Sequence, residues 1–229
     1  SGWDNVLQNA KDAGIPVIVI DRNVELEDDS LYVTSILTDS EAEGRNAGYW
    51  LADYLEEQGR DEEDINIVML LGTEGASAQI GRTKGFAEVA ADHENWKILE
   101  QLGGDFTQAK GRESMETLLE KYDDIDVVIS ENDNMTFGAV DAIQAAGRSC
   151  GPDGDIVMVS FDAVRSALEA MQKGEINVDF ECNPLQGPLL AETIRKLENG
   201  EEVEKIQYVD ETYFDTTMDL ETLIKDRVY

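Results

Sequence analysis

The run Pro16-Val-Ile-Val-Ile-Asp21-Arg22 carries an apolar stretch straight into an acid and a base. A carboxylate accepts hydrogen bonds and a guanidinium donates them, so such a pair can grip a small polar molecule. Three later apolar runs also lead into polar residues. Asn132 follows Val127-Val-Ile129, Asp162 follows Ile156-Val-Met-Val159, and Arg82 stands on the loop after Ile67-Val-Met-Leu-Leu71. In open α/β sheets the ligand crevice lies at the carboxyl ends of the strands. Polar groups converging there read as a small-molecule site.

Other chemistries are poorly supplied. His93 is the only histidine, and the two cysteines, Cys150 and Cys182, form no cluster with it. Zinc sites and Ser-His-Asp catalysis are therefore close to excluded. The spacing of the cysteines leaves a disulfide between them open. The loop Gly72-Thr-Glu-Gly-Ala-Ser77 has neither the Gly-Lys-Ser/Thr ending of a P-loop nor dinucleotide-site spacing. Asp153-Gly-Asp155 is too short for a calcium loop. No metal and no cofactor is expected.

The chain has 229 residues, 50 acidic and 18 basic, for a net charge of −32. Phosphate backbones would be repelled, so no nucleic-acid partner is expected. The charge reads first as a solvated surface and second as suited to salty surroundings or a basic partner patch. No apolar run reaches the length of a membrane span, so no direct membrane insertion is expected. Ser1-Gly2-Trp3 shows no secretory leader, which fits either a cytoplasmic or a trimmed protein.

The elements that must position these residues alternate between strands and helices. Helices are predicted over 3–13, 41–58, 79–91, 107–121, 134–146, 163–172, 186–198 and about 219–225. Strands are predicted over 16–20, 31–37, 65–71, 96–101, 125–130, 156–160, 176–182 and 206–213. Such alternation implies parallel sheets in an α/β fold. The chain opens inside a helix, with about one strand before Asp39. The opening segment is thus expected to be the tail of a lobe lacking its first units, on the order of 80–100 residues at roughly thirty per βαβ unit.

Six phrases, in this order, carry a family resemblance. They are Val19-Ile-Asp-Arg22, Gly75-Ala-Ser-Ala-Gln-Ile-Gly-Arg-Thr-Lys-Gly-Phe86, Gly104-Asp-Phe-Thr107, Asn132-Asp-Asn-Met135, Val159-Ser-Phe-Asp162 and Glu181-Cys-Asn-Pro-Leu-Gln-Gly-Pro188. Over nearly its whole length the chain resembles the periplasmic sugar-binding proteins of ABC transporters, with the ribose-binding type I fold, and within them the galactofuranose-binding group. The resemblance implies two Rossmann-like parallel-sheet lobes joined by crossover strands, the first lobe incomplete. Residues 1–38 and 184–211 would be the remnant of the N-terminal lobe, and 39–183 with 212–229 the C-terminal lobe.

The resemblance also implies roles. Asp21 and Asp162 would accept hydrogen bonds from sugar hydroxyls, Arg22 and Arg82 would donate them, and Asn132 would do both. Phe106 would lay its ring on the apolar C–H face of the sugar. Glu181 and Cys182 compete for one further contact, since adjacent strand residues point to opposite faces. Glu181 is the residue common in the galactofuranose-like relatives. Simpler readings stand beside these. Asp21 and Arg22 can be a structural ion pair, Arg82 can neutralise acids around it, Phe106 can be core, and Asn132 can cap the helix that follows it.

The implied function is capture of a monosaccharide, a hexose or pentose, by a non-enzymatic component of an ABC importer. The sugar would be delivered to a membrane permease. The implied location is periplasmic or extracytoplasmic, with any lipid anchor upstream of this chain. As it stands the chain is expected to bind sugar weakly or not at all. Two rivals use the same residues: the effector domain of a lactose-repressor-type regulator, which shares the fold, and a glycoside hydrolase with Asp21 and Asp162 as its acid pair.

Overall fold

A computed structural model describes residues 2–24 and 26–229. The elements run α1 (Asp4–Asp12), β1 (Ile18–Asp21), a 3-10 turn (Asp29–Leu31), β2 (Thr34–Leu37), α2 (Ser40–Glu57), β3 (Ile65–Leu71) and α3 (Ser77–Ala90). They continue with β4 (Trp96–Gly103), α4 (Gln108–Lys121), β5 (Val127–Ser130), α5 (Asp133–Ala145), β6 (Val157–Asp162) and α6 (Arg165–Gln172). The chain closes with β7 (Val178–Glu181), α7 (Gly187–Glu198), β8 (Ile206–Tyr208), β9 (Tyr213–Asp215) and α8 (Leu220–Asp226).

Two compact units result, residues 1–39 with 183–211 and residues 40–182 with 212–229. The first is built on a three-stranded parallel sheet of order β1-β2-β8. Its strands are short, and Trp3, Ile15, Ile20 and Tyr208 stand exposed. The second is built on a six-stranded sheet of order β4-β3-β5-β6-β7-β9. Its first five strands are parallel and β9 runs antiparallel to β7.

The sequence predicts one strand over 206–213, and here the structure differs. That segment is two strands in two sheets, separated by residues 209–212 as the chain passes from one unit to the other. A continuous β-prone run carries no mark of which sheet each half joins.

In the larger unit the sheet has a core on each face. Ala47, Leu51 and Leu55 of α2 and Phe86 of α3 join Ile65, Ile67, Val127 and Val159 on one side. Met115 and Leu118 of α4, Ala139 and Ile143 of α5 and Leu168 of α6 cover the other. Strands buried on both faces must read as continuous apolar runs, as Ile65–Leu71 does. At the crossing of α2 and α3, Gly44 meets backbone: a Cβ there would stand 2.3 Å from the Arg82 carbonyl oxygen. The close approach draws Glu43, next to Gly44, toward Arg82.

Cys150 is buried in the core and Cys182 is half-buried, and no disulfide forms among the described residues. Burial pushes the Cys150 thiol up to about 12, so it packs as an inert small hydrophobe. Among the described residues no helix is long and apolar enough to cross a membrane.

Candidate functional site

Strand order fixes where a ligand can sit in the larger unit. β3 comes first in the chain, β4 lies on one side of it and β5 on the other. The order reverses between β3 and β5, and at such a switch point the loops diverge and leave a crevice beyond the carboxyl ends.

Arg82 spans that point. It stands on α3, in the second helical turn rather than on the loop expected from sequence. Only 2% of its side chain is exposed. Its Nε and Nη2 donate to the two carboxylate oxygens of Glu43, at 2.9 and 3.2 Å. Nη2 also donates to Asp162 Oδ1 at 3.2 Å, and Nη1 to the Glu131 carbonyl at 2.5 Å. The guanidinium carbon lies 4.9 Å from the centre of the Phe161 ring. Four of about five donors are thereby engaged, which leaves one N–H on Nη1. Burial alone would lower the Arg82 pKa, but Glu43 and Asp162 outweigh it and hold the guanidinium well above its ordinary value. Burial likewise pushes the Glu43 carboxyl up, against the pull of Arg82.

Asn132 caps α5, its Oδ1 accepting from the Met135 N–H at 3.0 Å. Its Nδ2 reaches the Phe106 carbonyl only at 3.5 Å, so the amide retains donor capacity. The cap reading therefore holds, and it leaves the Nδ2 end available. Asp162 ends β6 with 31% of its side chain exposed.

Phe106 adjoins the core of the unit, half-buried. Its ring lies over Gly72, where an added Cβ would fall 2.0 Å from Cζ. The Gly72 N–H is held in turn by Glu131 Oε2 at 2.7 Å, and Glu131 Oε1 accepts from the Thr83 hydroxyl at 2.5 Å. Burial raises Glu131 to about 7, although Thr83, the Gly72 N–H and Arg82 all oppose the shift. Gly72→Ala must displace the ring. It is expected to cost about 1–3 kcal/mol in urea unfolding, the range for overpacking a filled site. An unchanged midpoint would mean that the ring is loosely held.

Arg82, Phe106, Asn132 and Asp162 are thus gathered in one place. Glu181 is not part of that group. Its Oε1 accepts from Arg227 at 2.5 Å and from the Tyr229 hydroxyl at 2.7 Å, and Oε2 accepts from the Thr212 N–H at 3.3 Å. The carboxylate is occupied by the C-terminal segment of the same unit.

In the smaller unit Asp21 ends β1 with φ +69°. The Arg22 N–H returns to the Ile20 carbonyl at 2.8 Å, and the Asp21 N–H donates to Gln186 Oε1 at 3.1 Å. A turn of this kind, bonded from i to i+2 about a positive φ, is rare and strained. The Arg22–Asp21 ion pair is loose, 3.8 Å between Nε and Oδ2, and both side chains are mostly exposed. Such a pair contributes about 0–1 kcal/mol, so stability does not explain it.

One backbone property joins these positions. Among the described residues, only Asp21, Asp105, Phe106, Asp162 and Ala163 have positive φ without being glycine. Each such conformation costs of order 1–3 kcal/mol and tends to mark a functional site. Three of the five are residues whose chemistry suits a polar ligand.

Sequence reasoning missed Glu43, Glu131, Asp133 and Asp179, all buried here. For Glu43 a signal exists. Glu43, Ala47, Leu51 and Leu55 recur every four residues, so this acid sits on the inward stripe of α2.

Residues 1–202 match the periplasmic binding protein domain, and the chain belongs to that family. It is 38% identical to the galactofuranose-binding protein YtfQ of Escherichia coli over 218 residues, which is 93% of this chain and 66% of that protein. The periplasmic binding component of the arabinose ABC transporter from Shewanella sp. ANA-3, bound to α- and β-L-arabinofuranose, is 37% identical with a TM-score of 0.89. The match covers 100% of this chain and 74% of that one. A Mycobacterium smegmatis structure in complex with β-D-fucofuranose is 40% identical with a TM-score of 0.88, over 99% of this chain and 72% of that one. The chain spans about two thirds of the length of the curated relatives it matches. The fold is the type I periplasmic-binding-protein fold, α/β with mostly parallel sheets.

Proposed function

We propose that this chain is the greater part of a binding protein for a monosaccharide, best suited to a furanose form, and that it catalyses no reaction. The carrying observation is the convergence of Arg82, Phe106, Asn132 and Asp162 at the switch point of the larger sheet, with Phe106 and Asp162 in left-handed backbone. Adjacent sugar hydroxyls each donate and accept. The Asp162 carboxylate and the remaining Arg82 and Asn132 donors answer both needs, and hydrogen bonds to charged groups contribute about 1.5–3 kcal/mol each. The Phe106 ring suits the sugar's apolar face. Asp21 and Arg22 of the smaller unit would supply further contacts of the same kind. Glu181 is left to brace the C-terminus. Furanose sugars in the named relatives support the ligand class.

In the cell the protein would act outside the cytoplasm and hand its sugar to the permease of an ABC importer. These steps rest on the named relatives alone. The test is a thermal-shift screen on the complete gene product with L-arabinose, D-galactose, D-fucose and D-ribose. A ligand at a hundred times its Kd stabilises the folded state by about 2.7 kcal/mol, an upward shift of several degrees. No shift with any of the four, together with cleavage of a glycoside, would replace the reading with an enzymatic one.

A further inference from the structure

Two buried acids lie under the turn between β6 and α6. Asp133 opens α5 and Asp179 stands in β7. Asp133 Oδ2 accepts from the Val164 N–H at 2.8 Å, and Oδ1 from the Ser160 hydroxyl at 2.7 Å. Asp179 Oδ1 accepts from the Ala163 N–H at 3.0 Å. The two residues that follow Asp162 thus have their N–H groups held by this pair. The turn needs holding, because Asp162 sits at φ +106° and Ala163 at φ +55°. Asp179 Oδ2 is sealed from solvent and finds no donor. Beside it lies Asp133, whose carboxylate accepts from the adjoining Val164 N–H and whose charge helps to push the Asp179 carboxyl up. Two carboxylates in contact in a dry interior cannot both ionise.

We propose that Asp133 and Asp179 share one proton, carried as a hydrogen bond between them. In this state they act as positioning residues that fix the left-handed turn presenting Asp162 to the ligand. The positioning role rests on the sugar-binding reading; the shared proton does not. It turns the orphan Oδ2 into a donor and removes one buried charge. The surrounding groups support this. Asp162 adds negative charge on the ligand side. Of the nearby cations, Arg82 is engaged with Glu43 and Asp162, and Arg227 with Glu181 and, through Nε at 2.6 Å, with the Ala163 carbonyl, its Nη2 being buried without a hydrogen-bond partner among the described residues. Ser160 and Thr136, 2.7 Å apart, are hydroxyls that can give or accept. Burial and then the Asp162 charge push Asp133 up to about 7, and burial and then Asp133 push Asp179 well above the ordinary range.

The sign of the pH effect follows. Asp133 has an ordinary value of 3.8 and a folded value of about 7. A first loss at that value leaves the shared proton, held at the still higher value of Asp179; its stabilisation is complete at low pH and is lost only as pH rises through that upper range.

The first experiment needs no sugar. Infrared spectra of the 229-residue chain at neutral pH should show the carbonyl stretch of neutral carboxylic acid, and Asp179→Asn should remove the part due to the pair while leaving that of Glu131, which is raised to about 7. Asp133→Asn serves as the second variant should the first fold poorly. Absence of the pair's part of the band from the wild-type chain would overturn the shared proton. The second experiment is calorimetry with L-arabinose on the complete gene product. As pH rises from about 7 toward the higher range in which Asp179 loses its proton, the wild-type affinity should fall. Asp179→Asn supplies a permanent N–H donor and should flatten the profile. A flat wild-type profile, or an equal slope in Asp179→Asn, would overturn the positioning role. A protein that binds no L-arabinose at any pH, yet keeps the band, would remove the positioning role and leave the proton in place.

Discussion

Arg82→Met is expected to destabilise the chain by about 3–5 kcal/mol, the cost of breaking a buried ion pair by removing one partner. The guanidinium engages Glu43 through two hydrogen bonds and Asp162 through a third, and the Arg82 and Glu43 side chains are only 2% and 5% exposed. Methionine fills much of the volume but leaves Glu43 as a buried charge with no cation beside it. The deficit should therefore depend on pH. Without the cation Glu43 rises further above 4.5, so its neutral form is favoured in the folded state. The variant should recover toward the wild type as pH is lowered to about 5 and lose most at pH 7 and above. The double variant Arg82→Met with Glu43→Leu should regain much of the loss, because a matched apolar pair restores packing without burying a charge. Urea unfolding of the wild type and the two variants checks all of this. An Arg82→Met chain within about 1 kcal/mol of the wild type would mean that water reaches the pair, as at a surface salt bridge.

This expectation also bears on how much of the molecule the sequence reveals. Strand 65–71 is legible because burial on both faces makes it one continuous apolar run, and helix 40–57 because burial along one stripe writes a period into its residues. The polar residues at strand ends are legible for a similar reason: Asn132 and Asp162 interrupt apolar runs. Their conformation is not. Nothing in the letters Phe106 or Asp162 announces a positive φ, since that is imposed by the loops around them. The buried acids are hidden differently. In a chain with 50 acidic residues, one more Glu or Asp reads as solvated surface. Asp133 and Asp179 become exceptional only when the fold brings α5 and β7 together beneath one turn. Glu181 shows the converse. Its position in a family phrase suggests a ligand contact, but the contact it makes depends on Arg227, which lies 46 residues further on.

Salt should stabilise this chain strongly. The protein has 50 acidic and 18 basic residues, so even if every Lys and Arg neutralised an acid, 32 carboxylates would stand uncompensated. Acids cluster on the surface: Asp61, Glu62, Glu63 and Asp64 are consecutive and exposed, with only Glu63 and Asp64 of the four in ion pairs among the described residues, to Arg60 and Lys97, and Glu201 and Glu202 are exposed side by side. Folding gathers these charges within the dimensions of a compact chain, whereas unfolding lets them separate, so self-repulsion favours the unfolded state. Raising KCl from about 0.1 M to about 1 M shortens the screening length from ~10 Å to ~3 Å, below the spacing of most surface charges. The buried Arg82–Glu43 pair is screened far less and keeps its contribution. The gain from reduced repulsion is therefore not cancelled by loss of that attraction. Exposed pairs such as Lys225–Glu221 and Lys196–Glu192 weaken, but each contributes only about 0–1 kcal/mol. Melting followed by circular dichroism should move upward by about 10 °C over this range, the shift that ~3–4 kcal/mol produces in a chain of this size. Neutralising the two acidic clusters with Asn and Gln should reproduce part of the rise at low salt and reduce the response to KCl. A melting temperature that is flat or falls with added KCl would mean that the exposed ion pairs outweigh the repulsion among the remaining acids.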